Sequence, residues 1–287
     1  MSIATHLGQT SQYKSSYDPS LLVTELRQSN RIGQDITSEM FGRDLWNVYE
    51  ISFLTTKGYP VNGIGKITYS SSNETIVESK SLKLYFFSWN MTRIGDNASD
   101  AVDLFSEQVT KDLSELLGTP VDFKFFSIVQ NPPCDEPFKN YEHIDVFPGV
   151  YDLEFVDVNE NPKLLEVTDT ASSFNVRSSL LRSNCKITNQ PDYGDVFIHY
   201  VGPKQLSIPS LVRYLVSFRS ENHFHEEVCE MIYDRLVKLL QPEELIVACR
   251  YTRRGGIDIN PVRANKAELI PNVYTPCNLA LLKLPRQ

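Results

Sequence analysis

Pro60-Val-Asn-Gly63-Ile-Gly65-Lys-Ile67-Thr-Tyr69 and Pro191-Asp192-Tyr-Gly194-Asp-Val-Phe-Ile198-His-Tyr200 read as two versions of one strand, with Pro, Gly, Ile and Tyr recurring at an offset of 131 residues. The match continues downstream. At an offset of 129, Ser81, Leu82, Tyr85 and Ser88 meet Ser210, Leu211, Tyr214 and Ser217; at 123, Leu113, Leu116 and Leu117 meet Leu236, Leu239 and Leu240. An offset that shrinks in steps is what loops of unequal length leave in an internal duplication.

Each half predicts the same order of elements. A strand pair comes first, 46–55 with 64–70 and 176–184 with 195–201, joined by a turn rich in Pro and Gly. A short apolar-rich helix follows at 81–89 and 210–218. Next comes an amphipathic helix, with Phe105, Val109, Leu113, Leu116 and Leu117 on one face in the first half and Val228, Ile232, Leu236, Leu239 and Leu240 in the second. Gly118 and Pro120 stop the first, and Pro242 the second. Closing strands are expected at 121–130 and 245–253, the latter followed by 274–284. Strand runs bracketing paired helices imply an α+β fold with antiparallel sheets.

Composition narrows the function classes. With 287 residues and 41% hydrophobic content the chain has enough apolar surface for real cores, which excludes global disorder. A net charge of −8 argues against a protein that coats nucleic acid or anionic membrane through bulk charge. That acidity is local: residues 135–169 hold ten acids and two bases, and the rest of the chain balances at 26 of each sign. The stretch reads as an acidic connector, 135–170, between a first module at 46–134 and a second at 171–287, with an N-terminal arm at 1–45. Five cysteines without C-x-x-C or His/Cys metal spacing argue against a disulfide framework or a zinc site, so no metal is expected. No 18-residue apolar run and no secretory leader pattern are present, and the expectation is a soluble cytoplasmic protein.

The repeat register exposes what each half has alone. Cys185 aligns with Leu54 and Asp192 with Val61, so a thiol and a carboxylate seven residues apart flank a Pro-bearing turn only in the second half. Such a pair suits a nucleophile and a proton-exchanging acid; a small buried hydrophobe and a turn cap are the plainer alternative. His225 and Glu226 open the second amphipathic helix, where an acid is also an ordinary first-turn dipole partner. The first half carries Glu78-Ser79-Lys80, whose register partners for Glu78 and Lys80 are Ser207 and Pro209. A division of labour across an interface between the halves would explain that exchange. Finally, residues 250–266 hold five bases and one acid around Arg253-Arg254-Gly255-Gly256, a pattern suited to an anionic group or, alternatively, to a solvated basic hairpin. Gly63-Ile-Gly65 has no third glycine, so a Rossmann fingerprint is absent.

Four motifs in order resemble one family: Glu78-Ser-Lys-Ser-Leu-Lys-Leu-Tyr85, Ser183-Asn-Cys185 with Gln190-Pro-Asp192, Phe224-His225-Glu226, and Tyr251-Thr-Arg-Arg-Gly-Gly-Ile-Asp-Ile-Asn-Pro261. Leu7-Gly-Gln-Thr10 with Tyr13 and Tyr17 is similar to the same family's N-terminal arm. The family is the NADPH-dependent 7-cyano-7-deazaguanine reductases, nitrile reductases of queuosine biosynthesis, in their two-module form. The resemblance implies two tandem tunnelling-fold (T-fold) modules and a homodimer. It implies Cys185 as the nucleophile that forms a thioimide and Asp192 as the proton donor. By the same resemblance Val77, Glu78, Ser79, His225 and Glu226 would bind the deazapurine nitrile, and Ser79, Lys80, Arg254 and Gly255 would bind NADPH, with Arg253 as a further phosphate contact. Direct nucleic-acid binding and membrane association are not expected. A thiol hydrolase acting on nitriles or amides and a non-catalytic purine-binding module are the competing readings.

Overall fold

The computed structural model describes residues 13–129 and 132–287; the Leu7–Thr10 motif lies outside the described residues. Its spine is a sheet whose seven long strands are β1 (Phe41–Leu54), β2 (Pro60–Ser70), β3 (Asp122–Ser127), β4 (Ser172–Cys185), β5 (Pro191–Gly202), β6 (Glu244–Tyr251) and β7 (Ile257–Ala264). They lie side by side, antiparallel, in the order β4-β5-β6-β7-β1-β2-β3. The helices α1 (Ser79–Ser88), α2 (Ala98–Leu117), α3 (Ile208–Val216) and α4 (His225–Leu240) bury their apolar stripes in two cores, one per half. Phe53, Tyr85, Phe105 and Leu113 centre the first; Tyr200, Leu211, Ile232 and Leu236 centre the second. The fold is mixed α+β, as the strand and helix periods imply. No helix among the described residues is long and apolar enough to cross a membrane.

The two hairpins repeat down to their irregularities. In β1–β2, Val48 faces Gly65 and Ile51 faces Gly63; in β4–β5, Ser178 faces Val196 and Leu181 faces Gly194. Each first strand therefore carries one extra residue at the equivalent place, a β-bulge that sharpens the local twist. Gly63 and Gly194 recur because an aromatic ring of the next strand crosses there: an added Cβ would lie 2.1 Å from Phe125 and 3.1 Å from Tyr251. Leu54 pairs with Pro60 and Asn184 with Pro191, so the second hairpin loop is one residue longer. The counterpart of Cys185 is thus Thr55, not Leu54 as a gapless offset implies.

The recurring serines mark a strap across each first helix. Asp18 caps the turn Pro19–Leu21, and Asn161 caps the turn Pro162–Leu164. Ser88 Oγ accepts the Asp18 N–H (3.1 Å), and Ser217 Oγ accepts the Asn161 N–H (3.2 Å). Ser81 Oγ accepts the Val23 N–H (3.1 Å), and Ser210 Oγ accepts the Glu166 N–H (3.0 Å). The end of the acidic stretch is therefore the second half's copy of the N-terminal strap. Phe138, Ile144, Val150 and Leu165 of that stretch are buried. Three of its acids are held by side chains: Glu136 by Arg250 (2.6 Å), Asp145 by Ser178 (2.6 Å) and Glu160 by Tyr214 (3.0 Å).

One strand departs from expectation. The partner of β6 is Ile257–Ala264 rather than 274–284, where the only strand is Ala280–Leu281. Pro261 argues against a central strand because it has no N–H for the ladder, yet β7 is buried throughout and its pairing with β1 joins the halves. Beside that joint sits the wholly buried Arg263. Its Nη1 donates to Asp44 Oδ1 of β1 (2.8 Å), and its Nε and Nη2 donate to Glu230 Oε1 of α4 (3.0 and 2.8 Å). Arg27 hydrogen-bonds the other Asp44 oxygen, and Arg31 grips both Glu230 oxygens at 2.8 Å. Burial alone would raise the Asp44 and Glu230 carboxyls, but these arginines hold both below the usual range. Removing one partner of such a cluster leaves an uncompensated buried charge. Arg263→Met is expected to cost about 3–5 kcal/mol, measured as a lowered urea midpoint; an unchanged midpoint would contradict the role given to this residue.

Candidate active site

A cavity of about 320 Å³ opens between the halves, in the size range of small-ligand sites. The β4–β5 hairpin contributes Cys185, Gln190 and Asp192, the start of α4 contributes Phe224, His225 and Glu226, and the β6–β7 connection contributes Thr252, Arg254 and Gly255. The facing wall is Val77, Glu78, Ser79 and Lys80 from the start of α1. All ten residues singled out as site candidates line this one cavity within one chain. Arg253 does not: it is exposed, with its guanidinium 4.6 Å from the centre of the Tyr49 ring.

Cys185 ends β4, where its N–H donates to the Gln190 carbonyl (2.8 Å) and its backbone pairs with His223. Asp192 lies directly beyond that loop and is only 3% exposed. Arg254 donates to its Oδ1, and His225 Nε2 lies 3.3 Å from its Oδ2. Burial pushes the Asp192 carboxyl up, but His225 and Arg254 outweigh it and leave the group below the usual carboxylate range. The His225 ring is held by Tyr251, 3.9 Å away at 30°. The cavity thus holds both a thiol and an acid that His225 and Arg254 keep below the usual carboxylate range.

Two further carboxylates are shaped differently. Glu78 caps α1, its Oε2 accepting the Ser81 N–H (2.6 Å) and its Oε1 the Lys80 N–H (3.2 Å). Ser207 holds the equivalent cap position of α3, so the register exchange seen in the sequence is real in space. Glu226 is buried in the first turn of α4, and its Oε1 has no hydrogen-bond partner among the described residues. Burial, reinforced by the Asp44 charge, pushes its carboxyl up to about 7. An acid kept short of donors in a dry pocket is suited to a ligand that brings N–H groups.

The β6–β7 connection closes as a two-residue turn in which the Arg254 N–H donates to the Ile257 carbonyl (2.9 Å). Gly255 (φ 58°) and Gly256 (φ 81°) supply the positive angles that such a turn demands. A Cβ on Gly255 would lie 2.7 Å from Lys83 Nζ, so glycine lets that side chain pack directly against the turn. Among the described residues no group of three His, Cys, Asp or Glu side chains forms a metal site.

Sequence reasoning missed Glu25, Trp46, Lys83, His223, Ile257 and Ile259 as lining residues. Ile257 and Ile259 lie inside a quoted motif but were credited to a basic loop. Glu25 and Trp46 lie in no motif, and nothing local to either marks it as facing a site. His223 is held above the usual histidine range: burial pushes it down, and Glu227 and Glu221 push it back further.

Comparison with known proteins identifies the family. The model for the N-terminal part of nitrile reductase, 7-cyano-7-deazaguanine-reductase, matches residues 13–125, and that for QueF-like protein matches 191–269. An NADPH-dependent 7-cyano-7-deazaguanine reductase of Hydrogenovibrio crunogenus is 39% identical over 267 residues, 90% of this chain and 91% of its own length. One of Legionella pneumophila is 38% identical over 286 residues, 97% of this chain and 94% of its own. The crystal structure of an apo archaeosine synthase QueF-Like aligns with a TM-score of 0.29 at 18% identity, over 34% of this chain and 94% of that one, too low to weigh in the argument. The chain belongs to the 7-cyano-7-deazaguanine reductase family.

A carboxyl raised by folding binds its proton more tightly in the folded state. The stability it contributes is therefore present below its ordinary value of 4.5 and lost as pH climbs toward about 7. Glu226→Gln, which cannot ionise, is expected to be more stable than the parent at pH 8 by roughly 1–3 kcal/mol, with no gain at pH 4.5. Thermal unfolding at the two pH values measures the difference; equal gains at both would remove the ionisation argument.

Proposed function

We propose that this chain reduces the nitrile of 7-cyano-7-deazaguanine to the primary amine 7-aminomethyl-7-deazaguanine with NADPH, a step of tRNA queuosine biosynthesis. The observation that carries the reading is the convergence of the Cys185 thiol, the ionised Asp192 and the donor-poor Glu226 in one cavity. The family membership and the NADPH-dependent names of the two relatives support it.

The residues suit the chemistry in sequence. Asp192, held ionised by Arg254 and His225, takes the thiol proton as the Cys185 sulfur bonds to the nitrile carbon. It then returns that proton to the nitrogen as one C–N π bond opens, leaving a neutral thioimide. NADPH supplies the hydrides, two of which a nitrile needs to become an amine. Its fit rests on the donor set: the Lys80 and Lys83 amines, the Ser79 hydroxyl, the Arg254 guanidinium and the side-chain-free backbone at Gly255 suit an anionic dinucleotide. Glu226, Glu78 and His225 orient the guanine-like edge, with Val77 beside them. Trp46, Ile76, Phe224, Ile257 and Ile259 keep the cavity apolar, which protects a thioimide from hydrolysis.

At the level of architecture, each half is read as a tunnelling-fold module, spanning 46–134 and 171–287, with the straps at 17–23 and 161–166 as outer clasps. Two chains are expected to associate as a homodimer in the cytoplasm.

The test is direct. Mixing the protein with the nitrile base and NADPH should consume two NADPH per amine formed, followed by nicotinamide absorbance. Release of ammonia or a carboxylic acid without oxidation would mark a hydrolase instead. Cys185→Ala should yield no mass adduct with the nitrile. Asp192→Asn should lower kcat by roughly 10²–10⁴-fold with a smaller change in KM; an adduct in the alanine variant would remove Cys185 as the nucleophile.

A further inference from the structure

Glu25 is a fourth carboxylate of the same cavity, and neither motif nor register pointed to it. It sits just beyond the first strap, in a short strand pairing Thr24–Leu26 with Thr75–Val77, opposite Ile76. The residue is only 8% exposed, and its Oε1 is buried without a hydrogen-bond partner among the described residues. Burial and the neighbouring Glu78 charge push its carboxyl above the usual range. The strap does not impose this burial: the equivalent position of the second half, one residue past its paired Val167, is the exposed Thr168. A buried, unsatisfied carboxylate oxygen costs free energy until a donor reaches it, and the cavity is where a donor can arrive.

We propose that Glu25 is a specificity-determining residue that accepts the pyrrole N–H of the bound base. This rests on the reading of the cavity as a 7-cyano-7-deazaguanine site. A guanine-like base offers N–H donors on its amidine edge and one more on its five-membered ring. Glu78 and Glu226 are assigned the amidine edge, so the ring N–H is the donor left for Glu25. The same contact rejects a base substituted at that nitrogen, because the substituent displaces the donor and strands a buried acceptor.

Calorimetric titration in a Cys185→Ala background isolates binding from the covalent step. The probes are 7-cyano-7-deazaguanine and its analogue methylated on the pyrrole nitrogen. Glu25→Gln and Glu25→Ala are each expected to weaken binding of the parent base by roughly 10–100-fold while leaving affinity for the methylated analogue nearly unchanged, so that discrimination between the two collapses. With Cys185 intact, Glu25→Gln should raise KM by a similar factor and leave kcat within about threefold, as for a contact made equally in ground and transition states. A merely structural Glu25 would weaken both ligands alike and keep the discrimination, and that result, or variants that bind as tightly as the parent, overturns the proposal. If the Cys185→Ala protein itself binds neither base, the functional reading fails first and takes this inference with it.

Discussion

The Arg263 guanidinium, wholly buried between two buried carboxylates, is the constraint on which the rest of the molecule hangs. Desolvating a cation is tolerable only where its partners are in place, so Asp44 of β1, Glu230 of α4 and β7 itself must meet at one point. Arg27 and Arg31 bring the N-terminal segment to the same point. That meeting sets the pairing of β7 with β1, and hence the distance between a cavity wall built from α1 and one built from the β4–β5 hairpin. The network also reaches into the cavity electrostatically. Asp44 pushes the Glu226 carboxyl up while Arg27 and His225 pull it down, so a structural ion cluster helps tune a carboxyl of the cavity.

The two halves share a scaffold and differ in the polar residues that they bring to the cavity. Bulges, ring-crossed glycines and serine-held straps recur in both halves because each solves the same packing problem twice. What differs lies at the ends of elements, where packing constrains least: Cys185 where the first hairpin has Thr55, Glu78 where α3 has Ser207, Glu25 where the second strap leads to Thr168. One cavity is built from both sets, which neither half has the residues to line alone.

Much of this was legible in the chain. Helix periods, stop signals, paired strands and the offset between halves are local or self-repeating patterns, and they placed α1 to α4 and the two long hairpins within a few residues. The ten candidate site residues sit in motifs dense enough to be read together. Other features escaped for identifiable reasons. A central Pro261 gives β7 no ordinary strand pattern, and a one-residue longer turn shifts the counterpart of Cys185. Arg253 looked equivalent to Arg254 until the turn at Gly255 and Gly256 aimed only one of them at the cavity.

By itself, then, the sequence determined the order of elements, the duplication and the family, because those follow from spacing along the chain. Only the tertiary structure decided that β7 joins the halves, that Glu25 and Trp46 line the same cavity as the thiol, and that Glu226 Oε1 lacks a donor while both Asp192 oxygens have a basic neighbour. Those outcomes depend on which groups end up near one another across separations such as the 219 residues between Arg263 and Asp44. Desolvation and Coulomb interaction act through space, and no local pattern encodes a distance that only the packed sheet creates.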